Sequence, residues 1–157
     1  MRRHVITVAV VFLLVPALLA DAPPDKARLK QVLDAWSSLD VSRPAVFYAK
    51  DAGLAFYDVA PLKYNGWTEY ENGTRAFFKT LKSASFKLND DARVHRSGDL
   101  AWATATVDSD LVGNDGSHMK IDARWTTVWQ KRGSKWLIVH DHFSAPLPEP
   151  ATPAKAQ

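Results

Sequence analysis

Two histidines near the C-terminal end of the sequence are the residues best suited to chemistry. His140 and His142 are separated by one residue within the segment "KWLIVHDHFS". Because successive side chains on a β-strand point to opposite faces, both imidazoles would project from one face. Histidines in this arrangement can bind zinc, act as catalytic bases or line a binding pocket. The spacing leaves these three kinds of site open.

A zinc site would need at least one further protein ligand beyond the two histidines. The side chains elsewhere in the sequence that could supply it are His95, His118, Asp58 and Asp108. No spacing selects one of them, and the sequence contains no cysteine to offer a thiolate. We therefore favour two histidines in a pocket or core, and we predict neither a metal nor a cofactor.

Proton transfer is a second kind of chemistry that the sequence allows. Abstraction of a proton beside a carbonyl group needs a base of adjusted pKa and a donor for the developing oxyanion. His142 or Asp58 could serve as the base, and a tyrosine hydroxyl could serve as the donor. The candidate donors are Tyr48, Tyr57 and Tyr64.

Arg124 lies in "IDARWTTVWQ", where alternation places it on the same face as Thr126. We predict that this face lines a cavity together with His140 and His142. A permanently charged guanidinium on an inward face must pair with a carboxylate or bind an anion. We slightly favour pairing over the binding of a ligand carboxylate. The acidic residues that could pair with it are Asp58, Asp108 and Asp122. The residues predicted to bind a ligand are Arg124, Thr126, His140, His142, Tyr48, Tyr57 and Trp67.

The opposite faces of the same two strands carry large apolar side chains. Trp125 and Trp129 alternate with polar residues in the first strand, and Val139 and Phe143 lie on one face of the second. Exposed together, these side chains would form a larger apolar patch than monomers usually present. We therefore predict that this outer sheet face is covered by a second copy of the chain in a symmetric dimer.

Periodicity predicts the elements that would position these residues. The segment "LKQVLDAW" places its apolar residues at the spacing of an amphipathic helix that Asp25 can cap. A short second helix is predicted at "RPAVFYAKD", a strand at "GLAFYDVAP" and a third helix after "YNG". From Ser85 onward, runs of strand-forming residues separated by glycine turns predict an antiparallel meander. The predicted fold class is α+β, with about three N-terminal helices packed on a curved antiparallel sheet.

The N-terminal residues have the organisation of an export signal. Arg2 and Arg3 precede the apolar run "VITVAVVFLLV", which leads to the small-residue end "ALLA". The run is shorter than the roughly 18 apolar residues of a membrane-spanning helix. We predict a signal peptide over residues 1–20, cleaved after Ala20 or Ala22, and a periplasmic or secreted protein without stable membrane insertion. The domain is predicted over residues 25–146, followed by a disordered Pro/Ala-rich tail over residues 147–157.

The charge balance argues against a nucleic-acid partner. The chain carries 20 Lys and Arg residues against 17 Asp and Glu, and without the predicted signal peptide the basic count is 18. The sequence shows no basic stripe of the kind that nucleic-acid binding needs. Because it also has no cysteine, a disulfide scaffold is excluded and stability must come from a hydrophobic core.

The C-terminal strands resemble a known family. The segment "RWT", followed after a glycine turn by "WLIVHDHFS", resembles the end of the SnoaL-like proteins. Residues 97–101, "SGDLA", are similar to the family's "sGDvA" hairpin. SnoaL-like proteins belong to the nuclear transport factor 2-like (NTF2-like) superfamily, which includes ketosteroid isomerase. The resemblance spans residues 25–146 and implies three helices against a strongly bent sheet, forming a cone that encloses a pocket, often in a dimer.

The resemblance implies a fold more firmly than an activity, because this superfamily hosts enzymes, binding proteins and assembly modules. Ketosteroid isomerase uses an aspartate base, a tyrosine and a protonated aspartate, and this trio cannot be placed here residue by residue. We expect a small, mostly apolar organic ligand in a cone-shaped pocket. If the protein is an enzyme, we expect cofactor-free, isomerase- or dehydratase-like proton transfer. The alternative is a non-catalytic dimerisation, assembly or interaction module that uses the outer sheet face.

Overall fold

The computed structural model describes residues 21–147 of the 157-residue chain. The predicted signal peptide lies outside the described residues, as does the predicted tail except for Leu147. Within the described range, no helix is long and apolar enough to cross a membrane. The same range contains two α-helices, a short 3-10 turn and seven β-strands in one sheet.

The first helix, α1, spans Lys26–Ser37 and follows the predicted apolar stripe. Its buried residues are Leu29, Val32, Leu33 and Trp36. The Asp25 carboxylate accepts a hydrogen bond from the Arg28 backbone N–H at 2.8 Å, which confirms Asp25 as the N-cap. On the solvent side, Lys30 and Asp34 form an exposed ion pair one turn apart. The polar side of α1 therefore faces solvent, and its apolar side packs on the sheet.

The predicted second helix is only a short 3-10 turn, Pro44–Phe47. Tyr48 already has an extended backbone (φ −105°, ψ 142°) and forms an isolated parallel bridge with Ile138. The Ala49 N–H donates to the Ile138 carbonyl oxygen at 2.9 Å. The chain leaves the helical conformation here because the sheet satisfies its backbone groups instead. The domain has two α-helices rather than about three.

The second helix, α2, spans Gly66–Phe78 and begins at the predicted Asn65-Gly66 turn. It ends before Leu81, which begins strand β3 (Leu81–Leu88). Its buried residues are Gly66, Trp67, Tyr70, Thr74 and Phe78. Because the buried positions from Trp67 onward recur every three or four residues, one continuous face of α2 packs on the domain.

The strands form one sheet in the order β2-β1-β7-β6-β5-β3, and β4 also pairs with β5. The remaining bounds are β1 Ala55–Tyr57, β2 Tyr64–Asn65, β4 Arg93–Ser97, β5 Leu100–Gly113, β6 His118–Arg132 and β7 Lys135–Ser144. Neighbouring strands are antiparallel except β1 and β7, which are parallel, so the sheet is mixed. The predicted α+β class, with helices packed on a curved sheet, is confirmed.

The first part of the predicted meander, up to Ser97, forms two strands, β3 and β4. Both pair with β5, which is 14 residues long and therefore longer than either. Leu88 at the end of β3 lies opposite Val107, and Arg93 at the start of β4 lies opposite Thr104. The two short strands thus cover successive lengths of one edge of β5.

A β-bulge interrupts the pairing of β6 with β7. Val128 lies opposite His140, whereas the next residue, Trp129, lies opposite Ile138, so Val139 is an extra residue in β7. A bulge of this kind reverses the alternation of side chains along the strand. The buried positions of β7 are Trp136 and Ile138 before the bulge and Asp141 after it.

An aromatic cluster joins the helices to the sheet. The Tyr48 ring lies within 4.9–5.9 Å, centroid to centroid, of Trp36, Phe56, Trp67 and Tyr70. The geometries are edge-on or tilted, the arrangements in which aromatic pairs attract each other beyond their burial. α1, α2, β1 and the segment after the 3-10 turn all contribute to this cluster, which holds Tyr48 in one position.

Gly73 lies within α2, where glycine disfavours the helix. A β-carbon built at this position would lie 2.7 Å from the Tyr64 hydroxyl oxygen, well inside contact distance. The Tyr64 ring is buried and cannot move aside without displacing Tyr70, whose ring centroid lies 5.1 Å away. The glycine therefore allows Tyr64 to pack directly against the helix backbone.

We expect Gly73→Ala to lower the free energy of unfolding by up to about 2 kcal/mol. Overpacking costs roughly 1–3 kcal/mol, and the gain in helix propensity returns only about 1 kcal/mol. Urea denaturation followed by tryptophan fluorescence would measure the change. Gly53→Ala is the matched control, because a β-carbon there meets nothing within 4 Å. Unchanged or higher stability of the Gly73 variant would show that the Tyr64 ring is not confined.

Candidate functional site

A cavity of about 330 Å³ lies between the two helices and the inner face of the sheet. Its polar wall residues are Asp58, Asp141, Tyr64, Tyr70, Thr74 and Ser109. Its apolar wall comes from both helices and the strands opposite, and includes Phe78, Phe86, Ile121, Trp125 and Phe143. An apolar cavity with a few polar groups is the usual composition of a small-molecule site.

Asp141 is buried in the cavity wall and is 2% exposed. Both of its carboxyl oxygens accept hydrogen bonds: Trp125 Nε1 donates to Oδ1 at 2.7 Å, and the Tyr48 hydroxyl donates to Oδ2. Burial raises the pKa of Asp141 to about 7, which outweighs the lowering by the Tyr48 and Trp125 hydrogen bonds. The carboxyl group therefore changes protonation state near neutral pH.

The Tyr48 hydroxyl connects Asp141 to the first helix. Trp36 Nε1 donates to the Tyr48 oxygen at 3.1 Å, and Tyr48 donates onward to Asp141. Burial, followed by the nearby charge of Asp141, raises the pKa of Tyr48 well above its ordinary value. Tyr48 consequently stays protonated at neutral pH and remains a hydrogen-bond donor.

Asp58 is the second carboxyl group of the cavity and follows strand β1 directly. Its Oδ1 accepts a hydrogen bond from the Val59 backbone N–H at 2.7 Å. Burial raises the pKa of Asp58 to about 6 against the lowering by this hydrogen bond. After burial, the charge of Asp58 also contributes to the raised pKa of Asp141. Two interacting carboxyl groups that titrate near neutrality are typical of acid–base sites.

Tyr64 and Tyr70 add hydroxyl groups to the same cavity. Burial is the largest cause that raises the pKa of both, and for Tyr70 the charge of Asp141 is the next. Both hydroxyls therefore stay protonated at neutral pH and can donate to a ligand oxygen. Tyr64 is one of the three tyrosines predicted as donors, and it does lie in the cavity wall. Tyr70 was not among the residues predicted from the sequence.

The face predicted to line the cavity lies on the opposite, outer side of the sheet. The four residues predicted on it from β6 and β7 are Arg124, Thr126, His140 and His142, and none of them is part of the cavity wall. The residues that these strands contribute to the wall are Met119, Ile121, Trp125, Asp141 and Phe143. The predicted face assignment is wrong for two reasons. Alternation separates the faces of β6 without showing which one the helices cover, and the bulge at Val139 moves Asp141 and Phe143 to the helix side.

His140 and His142 are outer-face residues that pack with Tyr57. The Nδ1 of His140 lies 2.8 Å from the Ala55 carbonyl oxygen on neighbouring β1. The Tyr57 ring packs edge-on against both imidazoles, with centroid distances of 5.3 Å and 5.6 Å. Among residues 21–147, no group of three or more His, Cys, Asp or Glu side chains is arranged to hold a metal ion. A role of His140 and His142 in ligand binding stays a prediction. Such a ligand would have to bind on the outer face of the sheet.

Arg124 is exposed on β6, opposite Thr106 and Ser144. Within residues 21–147 it forms no ion pair, so the predicted pairing with an aspartate is wrong. The prediction assumed an inward-facing guanidinium, which would need a partner. An exposed guanidinium is solvated by water and needs no carboxylate partner.

The other predicted binding residues are divided among three locations. Tyr48 lies behind Asp141, and Tyr57 is 38% exposed on the outer face. Trp67 is buried outside the cavity, where its Nε1 donates to the Glu71 Oε2 at 2.9 Å and the Lys50 ammonium lies 3.3 Å from its ring centroid. Of the residues proposed for acid–base chemistry, the structure brings Asp58 and Tyr64 to the cavity and places His142 outside it.

The large rings predicted to form an outer dimer face are buried within the same chain. Trp125 is 3% exposed and Trp129 is 0% exposed, and Phe143 lines the cavity. Val139 is the extra residue of the bulge. The three rings cannot form the predicted patch because they lie in the core or in the cavity wall. The oligomeric state itself stays a prediction.

Asp141 is the main residue of this candidate site that was not predicted from the sequence. It is the single charged residue in the otherwise apolar series Leu137, Val139, Asp141 and Phe143. A carboxyl group that shares an apolar face must have hydrogen-bonding partners when it is buried. The indole of Trp125 on the neighbouring strand could have been recognised as one such donor.

Solved structures with the same arrangement of helices and sheet identify the fold. An NTF2-like superfamily protein from Salmonella enterica serovar Typhimurium LT2 has a TM-score of 0.70 at 22% identity, covering 80% of this chain and 91% of that chain. A candidate dehydratase of the NTF2-like family from Streptomyces avermitilis gives 0.68 at 18% identity, covering 76% and 92%. A candidate calcium/calmodulin-dependent protein kinase type II association domain from Thiobacillus denitrificans gives 0.63 at 19% identity, covering 80% and 97%. The fold is therefore that of the NTF2-like superfamily.

The sequence match identifies the family within that class. The family model for the SnoaL-like domain matches residues 26–148. The chain belongs to the SnoaL-like domain family, as the C-terminal resemblance implies. None of the curated proteins matches the chain significantly.

We expect the free energy of unfolding to fall as pH rises from about 4 to about 7. The unfolded Asp141 releases its proton near the ordinary value of 3.8, whereas the folded one holds it to about 7. Between these values the folded state binds more protons, so the stabilisation is complete at low pH and is lost as pH rises through the folded pKa. A shift of this size corresponds to a change on the order of 4 kcal/mol.

Asp141→Asn should flatten most of this pH dependence, measured by urea denaturation at a series of pH values. The free energy of unfolding should still fall with pH, but less steeply, because the pKa of Asp58 is raised to about 6. Asp108→Asn, which replaces an exposed aspartate on β5, should keep the full slope. An unchanged slope in Asp141→Asn would show that Asp141 does not titrate near neutrality.

Proposed function

We propose that this SnoaL-like domain binds a small, mostly apolar organic molecule in its cavity and catalyses cofactor-free proton transfer beside a carbonyl group. The observation that carries the proposal is the pair of carboxyl groups, Asp58 and Asp141, on the wall of one largely apolar cavity. The likeness of the fold to a candidate dehydratase from Streptomyces avermitilis supports this class of chemistry.

Asp58 is the proposed base. Its Oδ1 is occupied by the Val59 N–H, and its Oδ2 accepts no hydrogen bond from the described residues, so this oxygen is available to a ligand. With a pKa of about 6, Asp58 is largely ionised at neutral pH and is a stronger base than an ordinary aspartate. It would remove a proton from the carbon beside the ligand carbonyl, which leaves the electron pair on the carbonyl oxygen as an enolate.

Asp141 is the proposed donor to that oxygen. Tyr48 and Trp125 both donate to its carboxyl oxygens, so the acidic proton of the neutral form is left for another acceptor. A neutral carboxylic acid that donates to a developing oxyanion is the arrangement used in ketosteroid isomerase. Tyr64 and Tyr70 are further donors in the same wall. The proton on Asp58 would then return to carbon in an isomerisation, or leave with a hydroxyl group as water in a dehydration.

Asp58→Asn should lower the rate of proton exchange by about 100-fold or more, because the base is lost. The measurement is deuterium incorporation from D₂O into the methyl group of para-acetylbiphenyl, an apolar ketone, followed by mass spectrometry. We expect the wild-type rate to peak between the two carboxyl pKa values of about 6 and about 7, since Asp58 must be ionised and Asp141 protonated. Because Asp58 and Asp141 interact, the two apparent pKa values in the pH–rate profile belong to the pair rather than to either residue.

Asp108→Asn again serves as the control, and it should exchange deuterium at the wild-type rate. Binding of the ketone without exchange in the wild-type protein would exclude the enzymatic part and leave a binding protein. Neither binding nor exchange would overturn the proposed function as a whole.

Dimerisation is a second possible role that a specific observation favours. It would use other residues of the outer sheet face than the four predicted from the sequence. Trp102 is 42% exposed and Leu100 is 47% exposed at one end of β5. The His95 ring stacks on Trp102 at a centroid distance of 5.3 Å, which extends the exposed apolar surface onto β4. We propose that a second copy covers this surface. The fold's likeness to a candidate kinase association domain supports an assembly role.

Export is the last part of the proposed function, and it rests on the charged and apolar segments of residues 1–20. Native mass spectrometry of the full-length chain, expressed in a Gram-negative host, tests both export and assembly. We expect a periplasmic protein that begins at Asp21 or Pro23 and has the mass of a dimer. Trp102→Glu should give a monomer, because a charge would be buried at the interface. Val46→Glu is the control, since Val46 is 67% exposed and belongs to the 3-10 turn rather than to the sheet. An uncleaved product would overturn export, and a wild-type monomer would overturn the dimer.

A further inference from the structure

Two hydroxyl groups in the cavity wall have no hydrogen-bonding partner among the described residues. They are the Oγ1 of Thr74 and the Oγ of Ser109. Thr74 is 8% exposed and Ser109 is 4% exposed. Buried side-chain oxygens in folded proteins are nearly always hydrogen-bonded, so two in one cavity need an explanation.

Neither hydroxyl uses the partners that its local structure offers. A threonine within a helix can donate to the backbone carbonyl of the preceding turn, but Thr74 makes no such bond. Ser109 lies in the middle of β5, where the backbone groups pair with Phe86 on β3 and Ile121 on β6. Both side chains point instead into the same cavity.

The two hydroxyls lie far along the cavity from Asp141. In the sheet, Asp141 is in register with Thr127, and Thr127 is in register with Ala103 on β5. Ser109 is further along the same strand by six residues, so it lies beyond the position of Asp141 along the sheet. On α2, Thr74 lies one helical turn beyond Tyr70, in the direction of Phe78. The cavity therefore has polar groups in two separate regions.

The wall between the two regions is apolar, and the second region is uncharged. Trp125 and Phe143 line the cavity at a register between those of Asp141 and Ser109, and Ile121 lies directly opposite Ser109. None of the residues lining the cavity is a lysine or an arginine. Hydroxyl groups without a nearby cation match a neutral oxygen better than a carboxylate or a phosphate.

We propose that Thr74 and Ser109 form a second subsite that binds an uncharged oxygen, a hydroxyl or a keto group, at the end of an elongated ligand. The reacting carbonyl of the same ligand lies at Asp58 and Asp141, and the apolar body spans the wall between them. This inference rests on the proposed function, because it assumes that the cavity binds an organic carbonyl compound. It narrows the substrate class to rigid, mostly apolar molecules with oxygen at both ends.

The test compares two ligands that differ by one hydroxyl group. One is para-acetylbiphenyl, and the other carries an additional hydroxyl at the far para position of the second ring. Isothermal titration calorimetry gives the Kd of each for the wild-type protein and for the double variant Thr74→Val, Ser109→Ala. Both substitutions remove a hydroxyl group with little change in shape. Thr104→Val, at an exposed position on the outer face of β5, is the control.

We expect the wild-type protein and the control to bind the hydroxylated ligand about 10-fold more tightly than the plain ketone. In the double variant this preference should vanish or reverse, because the ligand hydroxyl would be buried without a partner. The Kd of the plain ketone should stay unchanged. Equal affinities in the wild-type protein, or a preference that persists in the double variant, would overturn the subsite and leave the proposed function standing. Failure of both ligands to bind the wild-type protein would overturn both.

A measurement without ligand tests the premise separately. If the two hydroxyls are unpartnered in the free protein, their removal should leave the urea midpoint unchanged or raise it. A lower midpoint in the double variant would show that the hydroxyls are already hydrogen-bonded in the free protein, and the subsite would be rejected.

Discussion

The buried carboxyl group of Asp141 is the constraint on which the rest of this structure depends. Burial of a carboxyl group is costly unless hydrogen-bond donors surround it, and here Tyr48 and Trp125 provide them. Tyr48 is itself bonded to Trp36, so one network joins α1, the segment after the 3-10 turn, β6 and β7. The aromatic cluster that surrounds Tyr48 then fixes the position of α2. The polar network thus sets where the helices sit on the sheet, and with it the shape of the cavity.

The bulge at Val139 makes this network possible. Without it, strict alternation from Trp136 and Ile138 would send Asp141 to the outer face and His140 to the cavity. One additional residue exchanges them, and it places a carboxyl group rather than an imidazole beside Trp125. Bulges are common next to functional sites because they redirect a side chain in this way. The chemistry of the cavity therefore depends on a single inserted residue in β7.

The cavity is polar in two regions and apolar between them, which distinguishes it from a simple hydrophobic pocket. Burial raises the pKa values of Asp58 and Asp141, and Thr74 and Ser109 have no hydrogen-bonding partner among the described residues. Proteins of one fold can host many activities, so the fold alone assigns none. The positions of these few polar groups decide which ligand the cavity can accept and where a proton could move.

The local elements and the family can be predicted from the amino-acid sequence alone. Helix α1 and its Asp25 cap follow from side-chain periodicity, β5 to β7 follow from alternation between glycine turns, and the C-terminal strand resembles its family. The sequence also identified Asp58 as a candidate base, within the strand predicted at "GLAFYDVAP". The sheet face that the helices cover, the position of the bulge and the burial of Asp141 are known only from the three-dimensional structure. These depend on contacts between residues far apart in the chain, and alternation is symmetric between two faces, so no local pattern distinguishes the inner one.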